Sequence, residues 1–215
     1  MRKIKVLLID DHQIVRRGVK NLLKGEDEIE IIGEAENAEA VMEILENVTP
    51  DVILSDITLP GISGIELTHV IKEEFPQVYI LIFSMHSEDE YIIDALNAGA
   101  KGYIPKVVDQ FEIVKAIKEV SKGEMYYNNL VSGALARQIY SLRNNENSDN
   151  TLSNREVEVL NFIVEGLNNK EIADKLIISK RTVDNHRANL MKKLGARNTA
   201  DIVRIALNKG LITLK

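Results

Sequence analysis

The sequence predicts two domains: an α/β domain built on a five-stranded parallel sheet, then a small all-α domain of four helices. Three observations lead there. Short β-branched runs alternate with amphipathic stretches through the first 125 residues, a helical pattern continues alone beyond residue 151, and the charge changes sign between the two parts. Residues 1–150 carry 15 Lys and Arg against 26 Asp and Glu, a net −11, while residues 151–215 carry 12 against 7, a net +5. An acidic part joined to a basic part reads as two modules, the second suited to a polyanion.

The strand-like runs come at Ile4–Ile9, Ile29–Ile32, Val52–Leu54, Val78–Phe83 and Gly102–Ile104. Between them apolar residues recur at three- and four-residue steps, as in Ile14, Val15, Val19, Leu22 and Leu23 or Phe111, Val114 and Ile117, the period of an amphipathic helix. Gly25, Gly33, Pro50, Gly61, Pro76 and Gly99 mark the breaks. Strands and helices in alternation imply a parallel sheet covered on both faces. The ligand site of such a sheet lies at the carboxyl ends of its strands.

A further helical pattern runs over residues 128–142 through Leu130, Ala134, Leu135, Ile139 and Leu142. Residues 143–150 then contain no apolar side chain, so they cannot bury enough surface to offset their ordering entropy. The chain accordingly divides into a front domain over 1–125, a linker helix and flexible linker over 126–150, and a rear domain over 151–215.

Composition narrows the function classes. Hydrophobic residues make up 45% and charged residues 28%, which suits a globular chain and leaves no reason to expect disorder throughout. With no cysteine, disulfide and thiolate chemistry are excluded, and a reducing cytoplasm fits. No apolar run approaches the ~20 residues of a membrane span. The run Ile4–Ile9 is cut off by Asp10-Asp11 too early for a signal peptide.

Polar groups stand where the sheet rule puts a site. Asp10 and Asp11 follow the first strand, Asp56 the third, Ser84 the fourth, and Lys106 lies just past the fifth. Three carboxylates in one pocket repel unless a cation joins them, and a small set of hard oxygen ligands suits Mg²⁺. A carboxylate can also act as a nucleophile and form an acyl phosphate, with metal and lysine neutralising the phosphoryl oxygens. Singly, each residue has a plainer reading. Asp10-Asp11 could cap a helix beginning near His12, Asp56 could be a loop carboxylate, Ser84 a turn residue and Lys106 a solvated lysine. Their coincidence at successive strand ends favours the shared site.

These segments resemble the response-regulator receiver domain of bacterial two-component systems. The pieces that carry the resemblance are Val6 to His12, Pro50 to Gly64 and Ala98 to Lys106, in the family's order and spacing over residues 1–123. The resemblance implies a flavodoxin-like strand order, 2-1-3-4-5. It makes Asp56 the phosphoacceptor, with Asp11, Asp56 and the Thr58 backbone carbonyl binding Mg²⁺ directly and Asp10 acting through water. Lys106 then contacts the phosphoryl group, Ser84 moves to meet it, and Tyr103 changes rotamer in response, although an aromatic at a strand end equally suits packing. Two features depart from many receivers: Pro105 precedes Lys106 rather than following it, and Met85 is bulkier than the small residue often found beside the switch serine.

In the rear domain, Ser153 followed by Glu156 has the capping-box spacing of a helix start. Val157, Leu160, Ile163 and Val164 give a buried stripe and Gly166 a stop. A second helix begins near Asn168 with Ile172, Ala173 and Leu176 inward, and Ser179 can cap a third that runs to about Leu194. At ~100° per residue, Val183, Leu190 and Leu194 share one face of that third helix. Arg181, Asn185, Ala188 and Lys192 share the opposite face, flanked by Asp184 and Asn189. A helix with a basic, amide-rich outer face fits the DNA major groove. The plainer reading is an ordinary solvated face. His186, at the edge of the buried face, suits packing or capping better than metal binding.

This part resembles the LuxR-type DNA-binding domain over about residues 151–214, through Leu152 to Leu160, Gly166 to Ala173, Ile178 to His186 and Lys192 to Gly195. The whole chain therefore resembles the NarL/FixJ class of response regulators. That resemblance implies base reading by positions 184, 185 and 188. It also implies contacts to double-stranded DNA from Lys170, Ser179, Lys180, Arg181, Thr182, Asn189 and Lys192. Asp184 departs from the lysine common there. The implied function is a phosphorylation-dependent transcriptional regulator, taking its phosphoryl group from a sensor histidine kinase and pairing as a homodimer when activated. Two other classes stay in view. An aspartyl-phosphate phosphatase needs an acid/base aspartate two residues past the nucleophile, where Thr58 stands. A constitutive DNA-binding protein with a decayed receiver is disfavoured by the complete acidic cluster.

Overall fold

The computed structural model describes residues 2–145, 152–176, 178 and 180–212, apart from the side chains at 141–145, 154 and 181. Contacts divide the chain into two compact units, Met1–Arg137 and Gln138–Lys215.

The front unit holds five parallel strands: β1 (Ile4–Ile9), β2 (Ile29–Ala35), β3 (Val52–Ser55), β4 (Tyr79–Ser84) and β5 (Gly102–Pro105). Their order is β2-β1-β3-β4-β5, as the resemblance implied. β2 runs three residues past the Ile32 expected from the sequence. Its pairing with β1 continues through Gly33 after a register irregularity between Val6 and Leu7, ending at Ile9 opposite Ala35. The two-residue period of a strand sends alternate side chains to opposite faces. Leu7, Ile9, Ile53, Ile80, Ile82 and Tyr103 enter one apolar cluster, and Val6, Leu8, Val52, Leu54, Leu81, Phe83 and Ile104 the other.

Helices cover both faces. α1 (Gln13–Leu22) and α5 (Gln110–Val120) bury Val19, Ile113, Ala116, Ile117 and Val120 on the second cluster. α2 (Ala38–Leu45), α3 (Gly64–Glu74) and α4 (Asp89–Ala98) bury Val41, Leu45, Leu67, Ile71, Ile92 and Ala95 on the first. Asn37, Ser63 and Asp109 each accept a backbone N–H at the start of α2, α3 and α5, which explains where those helices begin.

α6 (Asn129–Asn145) corresponds to the pattern read over 128–142, but its first half does more than connect. Val131 and Ala134 are fully buried in the first cluster, so the front unit extends beyond residue 125. Asn128 anchors the helix start: its Nδ2 donates to the Tyr103 carbonyl at 3.0 Å and its Oδ1 accepts from Val131 N at 3.0 Å. Farther along, the Arg137 guanidinium makes a forked pair with Asp89 of α4 at 2.5 and 2.6 Å. That pair holds the Asp89 carboxyl below the usual carboxylate range. Residues 143–145 were expected in a flexible linker but continue α6, because helix hydrogen bonds extend past the last apolar position. The remainder of that linker, 146–150, lies outside the described residues.

The rear unit contains four further helices: α7 (Asn154–Val164), α8 (Asn169–Leu176), α9 (Lys180–Leu194) and α10 (Thr199–Asn208). The capping box read from Ser153 and Glu156 is present in both directions. Gly166 adopts φ +85°, the left-handed conformation that ends a helix most easily without a Cβ. Asn168 and Glu171 repeat the reciprocal cap for α8: Asn168 Oδ1 accepts from Lys170 and Glu171 N, and Asn168 N donates to Glu171 Oε2. Val159, Leu160, Ile172, Val183, Leu190, Ile202 and Ala206 are fully buried. Two charged side chains, Arg155 and Glu156, are buried and paired. Arg155 donates to the Leu176 carbonyl at 2.8 Å, and Glu156 pairs with Lys193 at 2.7 Å.

Among the described residues, no helix is long and apolar enough to cross a membrane.

Candidate functional site

The sheet carries its ladder one residue past the strand ends. Asp10 N donates to Ala35 O, Asp56 N to Ile9 O and Lys106 N to Ser84 O, at 3.2, 2.9 and 2.8 Å. These bonds fix three charged residues side by side at one edge. Lys106 Nζ lies 2.7 Å from Asp56 Oδ2 and 2.5 Å from Asp10 Oδ2. All three side chains are almost wholly buried. The other Asp56 oxygen, Oδ1, accepts from Ile57 N at 2.7 Å. Burial works against the charge on Lys106, but its pairing with the Asp10 and Asp56 carboxylates outweighs it and raises its pKa above the ordinary lysine value.

Gly64 keeps the loop after Asp56 in this position. Its N–H donates to Ile57 O at 2.8 Å, and a Cβ there would stand 1.9 Å from the Asp56 carbonyl oxygen. Only glycine permits that approach.

Asp11 is less enclosed and pairs with His12 Nδ1 at 2.6 Å. The plainer reading of the two aspartates, a helix cap, does not hold: His12 is the N-cap of α1 with no side-chain cap. Asp10 Oδ1 instead takes the His12 N–H at 2.9 Å, and Arg16 donates to the Asp10 carbonyl at 2.5 Å. Asp10 Oδ2 and Asp11 Oδ1 are buried and receive no hydrogen bond, although each has a cationic or imidazole neighbour. Ion-pair distance without hydrogen-bond geometry leaves both with unused acceptor capacity. Asp10, Asp11 and His12 bring potential ligand atoms within 4.8 Å of one another. Unsatisfied carboxylate oxygens in this number fit a small hard cation.

Among the described residues no hydrogen bond joins Ser84, Tyr103 or Thr58 to Asp56; the three meet around His86. Tyr103, fully buried, donates its hydroxyl to the His86 carbonyl at 2.8 Å, and Ser84 Oγ accepts from His86 N at 3.4 Å. Thr58 Oγ1 contacts His86 Nε2 at 3.2 Å, and the His86 ring stacks on Tyr91 with centroids 4.3 Å apart. Burial drives the Tyr103 hydroxyl above the ordinary phenol range, a shift that the Ser84 hydroxyl partly opposes. Sequence reasoning missed His86, which is polar and two residues past a strand end. Its partners come from three other segments, and no local spacing announces them. Beside this centre, Met85 is largely exposed and shares a cavity of about 440 Å³ with His12, Val15, Phe83 and Lys106.

The rear unit presents a second arrangement. On α9, Val183, Leu190 and Leu194 are buried, and Asp184, Asn185, Ala188, Asn189 and Lys192 are exposed, as the helical wheel required; Lys180 is exposed as well. Thr182 is half-buried and Lys170, on α8, is exposed. Ser179 and the Arg181 side chain lie outside the described residues. Lys170, Lys180 and Arg187 line a cavity of about 470 Å³ with Asn168, Asn169 and Thr199, a concentration of positive charge beside the start of α8. Arg187, not singled out from sequence, is held by a 2.6 Å bond to Thr199 Oγ1. Asn169 Nδ2 donates to Asp184 Oδ1, joining α8 to the exposed face of α9. His186 is packed, with a buried Nε2 that has no hydrogen-bond partner and a pKa lowered first by burial, then by Arg155.

Comparison with known proteins agrees with both parts. The response regulator receiver domain model matches residues 6–118, and the model for bacterial regulatory proteins of the luxR family matches residues 150–206. The transcriptional regulatory protein MctR of Rhizobium johnstonii is 42% identical over 98% of this chain and 96% of its own length. The oxygen regulatory protein NreC of Staphylococcus aureus is 37% identical over 97% and 99%. Among solved structures, RcsB of Salmonella typhimurium is 28% identical, with a TM-score of 0.60 over 97% of this chain and 100% of that one. RcsB in complex with DNA is similar at 27% identity and a TM-score of 0.61, covering 99% and 100%. The chain belongs to the two-component response regulators, with a receiver domain ahead of a LuxR-type DNA-binding domain.

Proposed function

We propose that Asp56 accepts a phosphoryl group from a sensor histidine kinase, and that this controls homodimerisation and DNA binding by the rear domain. The observation that carries the reading is the Lys106 ammonium held between Asp10 and Asp56 at 2.5 and 2.7 Å. In the transfer, an Asp56 carboxylate oxygen forms a bond to phosphorus as the phosphorus–nitrogen bond of the donor histidine breaks, and the imidazole keeps the electron pair. Lys106 already touches the attacking carboxylate, so its ammonium can follow the charge onto the phosphoryl oxygens. Asp10, Asp11, Asp56 and the Thr58 carbonyl would hold Mg²⁺, which supplies further charge neutralisation to those oxygens.

Ser84 and Tyr103 carry the response. Both are bonded to the His86 backbone at rest, and the Ser84 hydroxyl turns to the phosphoryl group when Asp56 is modified. The His86 loop then shifts, and Tyr103 follows it into a second rotamer. Phosphorylation thus selects one of two receiver states, and the selected state pairs with a second copy. The front domain works as a phosphoryl acceptor and not as a turnover catalyst, with slow self-dephosphorylation as its one hydrolytic step. Residues 126–150 transmit the change to the DNA-binding domain at 151–215. There Asp184, Asn185 and Ala188 face the bases. Lys170, Ser179, Lys180, Arg181, Thr182, Asn189 and Lys192 hold the strand backbones. A chain that meets both a kinase and DNA works in the cytoplasm.

Beryllofluoride with Mg²⁺ tests the reading on the full chain. The expected result is binding that Asp56→Asn abolishes, accompanied by dimer formation and higher affinity for duplex DNA. Phosphorylation by acetyl phosphate that persists in Asp56→Asn would refute the acceptor assignment. Loading at Asp56 without any change in DNA affinity would refute the coupling.

A further inference from the structure

Asp184 is an awkward residue for a helix that reads DNA, because a carboxylate is repelled by the phosphates on either side of the groove. The side chain is not solitary. Asn169, the first residue of α8, donates its amide Nδ2 to Asp184 Oδ1 on the exposed face of α9. An ionised carboxylate only accepts hydrogen bonds, so the amide must present its NH₂ and not its oxygen to it. That fixes the orientation of both side chains. One Asp184 oxygen is used, while Oδ2 takes no hydrogen bond from any described residue. An exposed carboxylate would otherwise sample several rotamers, and the tether holds it in one.

We propose that Asn169 and Asp184 form a single base-reading unit, in which Asn169 positions Asp184 Oδ2 to accept a hydrogen bond from an exocyclic amino group in the major groove. This rests on the reading that α9 enters that groove. The chemistry selects its partner. Cytosine N4 and adenine N6 are the amino donors displayed there, whereas guanine shows O6 and N7 and thymine shows O4 and a methyl group, all without a donor. A fixed acceptor therefore favours cytosine or adenine at one base pair in each half-site and rejects the other two.

The test uses the full chain loaded with beryllofluoride and Mg²⁺. Selection from a randomised duplex pool defines the site, and affinities are then measured for all four base pairs at each position. One position is expected to prefer cytosine or adenine by about 5- to 150-fold, the worth of a good base contact, and the panel itself tells the two apart. In Asn169→Ala and Asn169→Ser that single preference falls to the level of Asp184→Ala, while the other positions, non-specific affinity and thermal midpoint stay as in the unaltered chain. A preference that survives both Asn169 variants, or an equal loss at every position, would overturn the inference and leave the tether a fold contact. If the unaltered chain binds all sequences alike, the DNA-reading assignment fails, and the inference with it.

Discussion

Replacing Lys106 by methionine keeps most of the side-chain volume and removes only the charge. The structure sets the size of the effect. Lys106 is 9% exposed, Asp10 1% and Asp56 5%, and the ammonium is the counter-charge for both carboxylates. Removing one partner of a buried ion pair costs about 3–5 kcal/mol, because the remaining charge is left without compensation. For a unit of this size each kcal/mol shifts the melting point by a few degrees, so a drop of roughly 10–20 °C is expected in EDTA at neutral pH. Magnesium should recover much of it, since a ligand at a hundred times its Kd adds about 2.7 kcal/mol. The assay is thermal and urea unfolding of the full chain followed by tyrosine fluorescence. There is no tryptophan, and five of the six tyrosines, at 79, 91, 103, 126 and 127, lie in the front unit. The sign with pH also follows. Lys106 has its folded pKa raised, so its contribution is complete below the ordinary lysine value of about 10.4 and is lost as pH climbs through the raised value. Variant and parent should therefore converge only in strong alkali. A loss below about 1 kcal/mol in EDTA, or a gap that closes as pH rises from 7 to 9, would refute the pairing argument.

Three further perturbations have definite expected outcomes. Gly64→Ala forces a Cβ into the Asp56 carbonyl, so stability should fall by about 1–3 kcal/mol on denaturant titration, and acetyl phosphate should label Asp56 more slowly. Labelling at the parent rate would show that the loop has another conformation available. Met85→Ala opens the cavity beside Lys106 to water, and the acyl phosphate should decay faster in a phosphate-release assay. An unchanged half-life would exclude shielding by Met85. Asn185→Ala removes an amide from the exposed face of α9 and should weaken specific binding by about 1–3 kcal/mol in a competition titration. Undiminished discrimination between the site and scrambled DNA would remove Asn185 from the base contacts.

Features carried by local spacing were legible in the sequence. Ser153 and Glu156 could be paired from their separation, because a capping box is closed within one helical turn. Asp10, Asp56 and Lys106 could be grouped because a parallel sheet brings every strand's carboxyl end to one edge. Contacts made between elements were not legible. His86 gathers Thr58, Ser84, Tyr91 and Tyr103 from three strand ends and a helix, and Asn169 reaches Asp184 across the turn between two helices. Each depends on loop paths that hydrophobic periodicity does not encode. The first half of α6 shows the same limit. Its amphipathic stripe was visible, but the stripe alone did not reveal that Val131 and Ala134 bury against the α4 face of the sheet.

The enclosed Tyr103 hydroxyl has an optical consequence. In a protein without tryptophan, phenol absorption dominates the near-ultraviolet spectrum, and burial sets when each ring ionises. Tyr126 is pushed up to about 12, and Tyr103 higher still. A rotamer change that carried Tyr103 toward water would bring its hydroxyl back toward the ordinary value near 10. The receiver thus contains its own indicator dye. Tyrosinate absorbance in alkali, gained beyond that of the exposed Tyr127 and Tyr140, would record the position of the ring without any label attached to the chain.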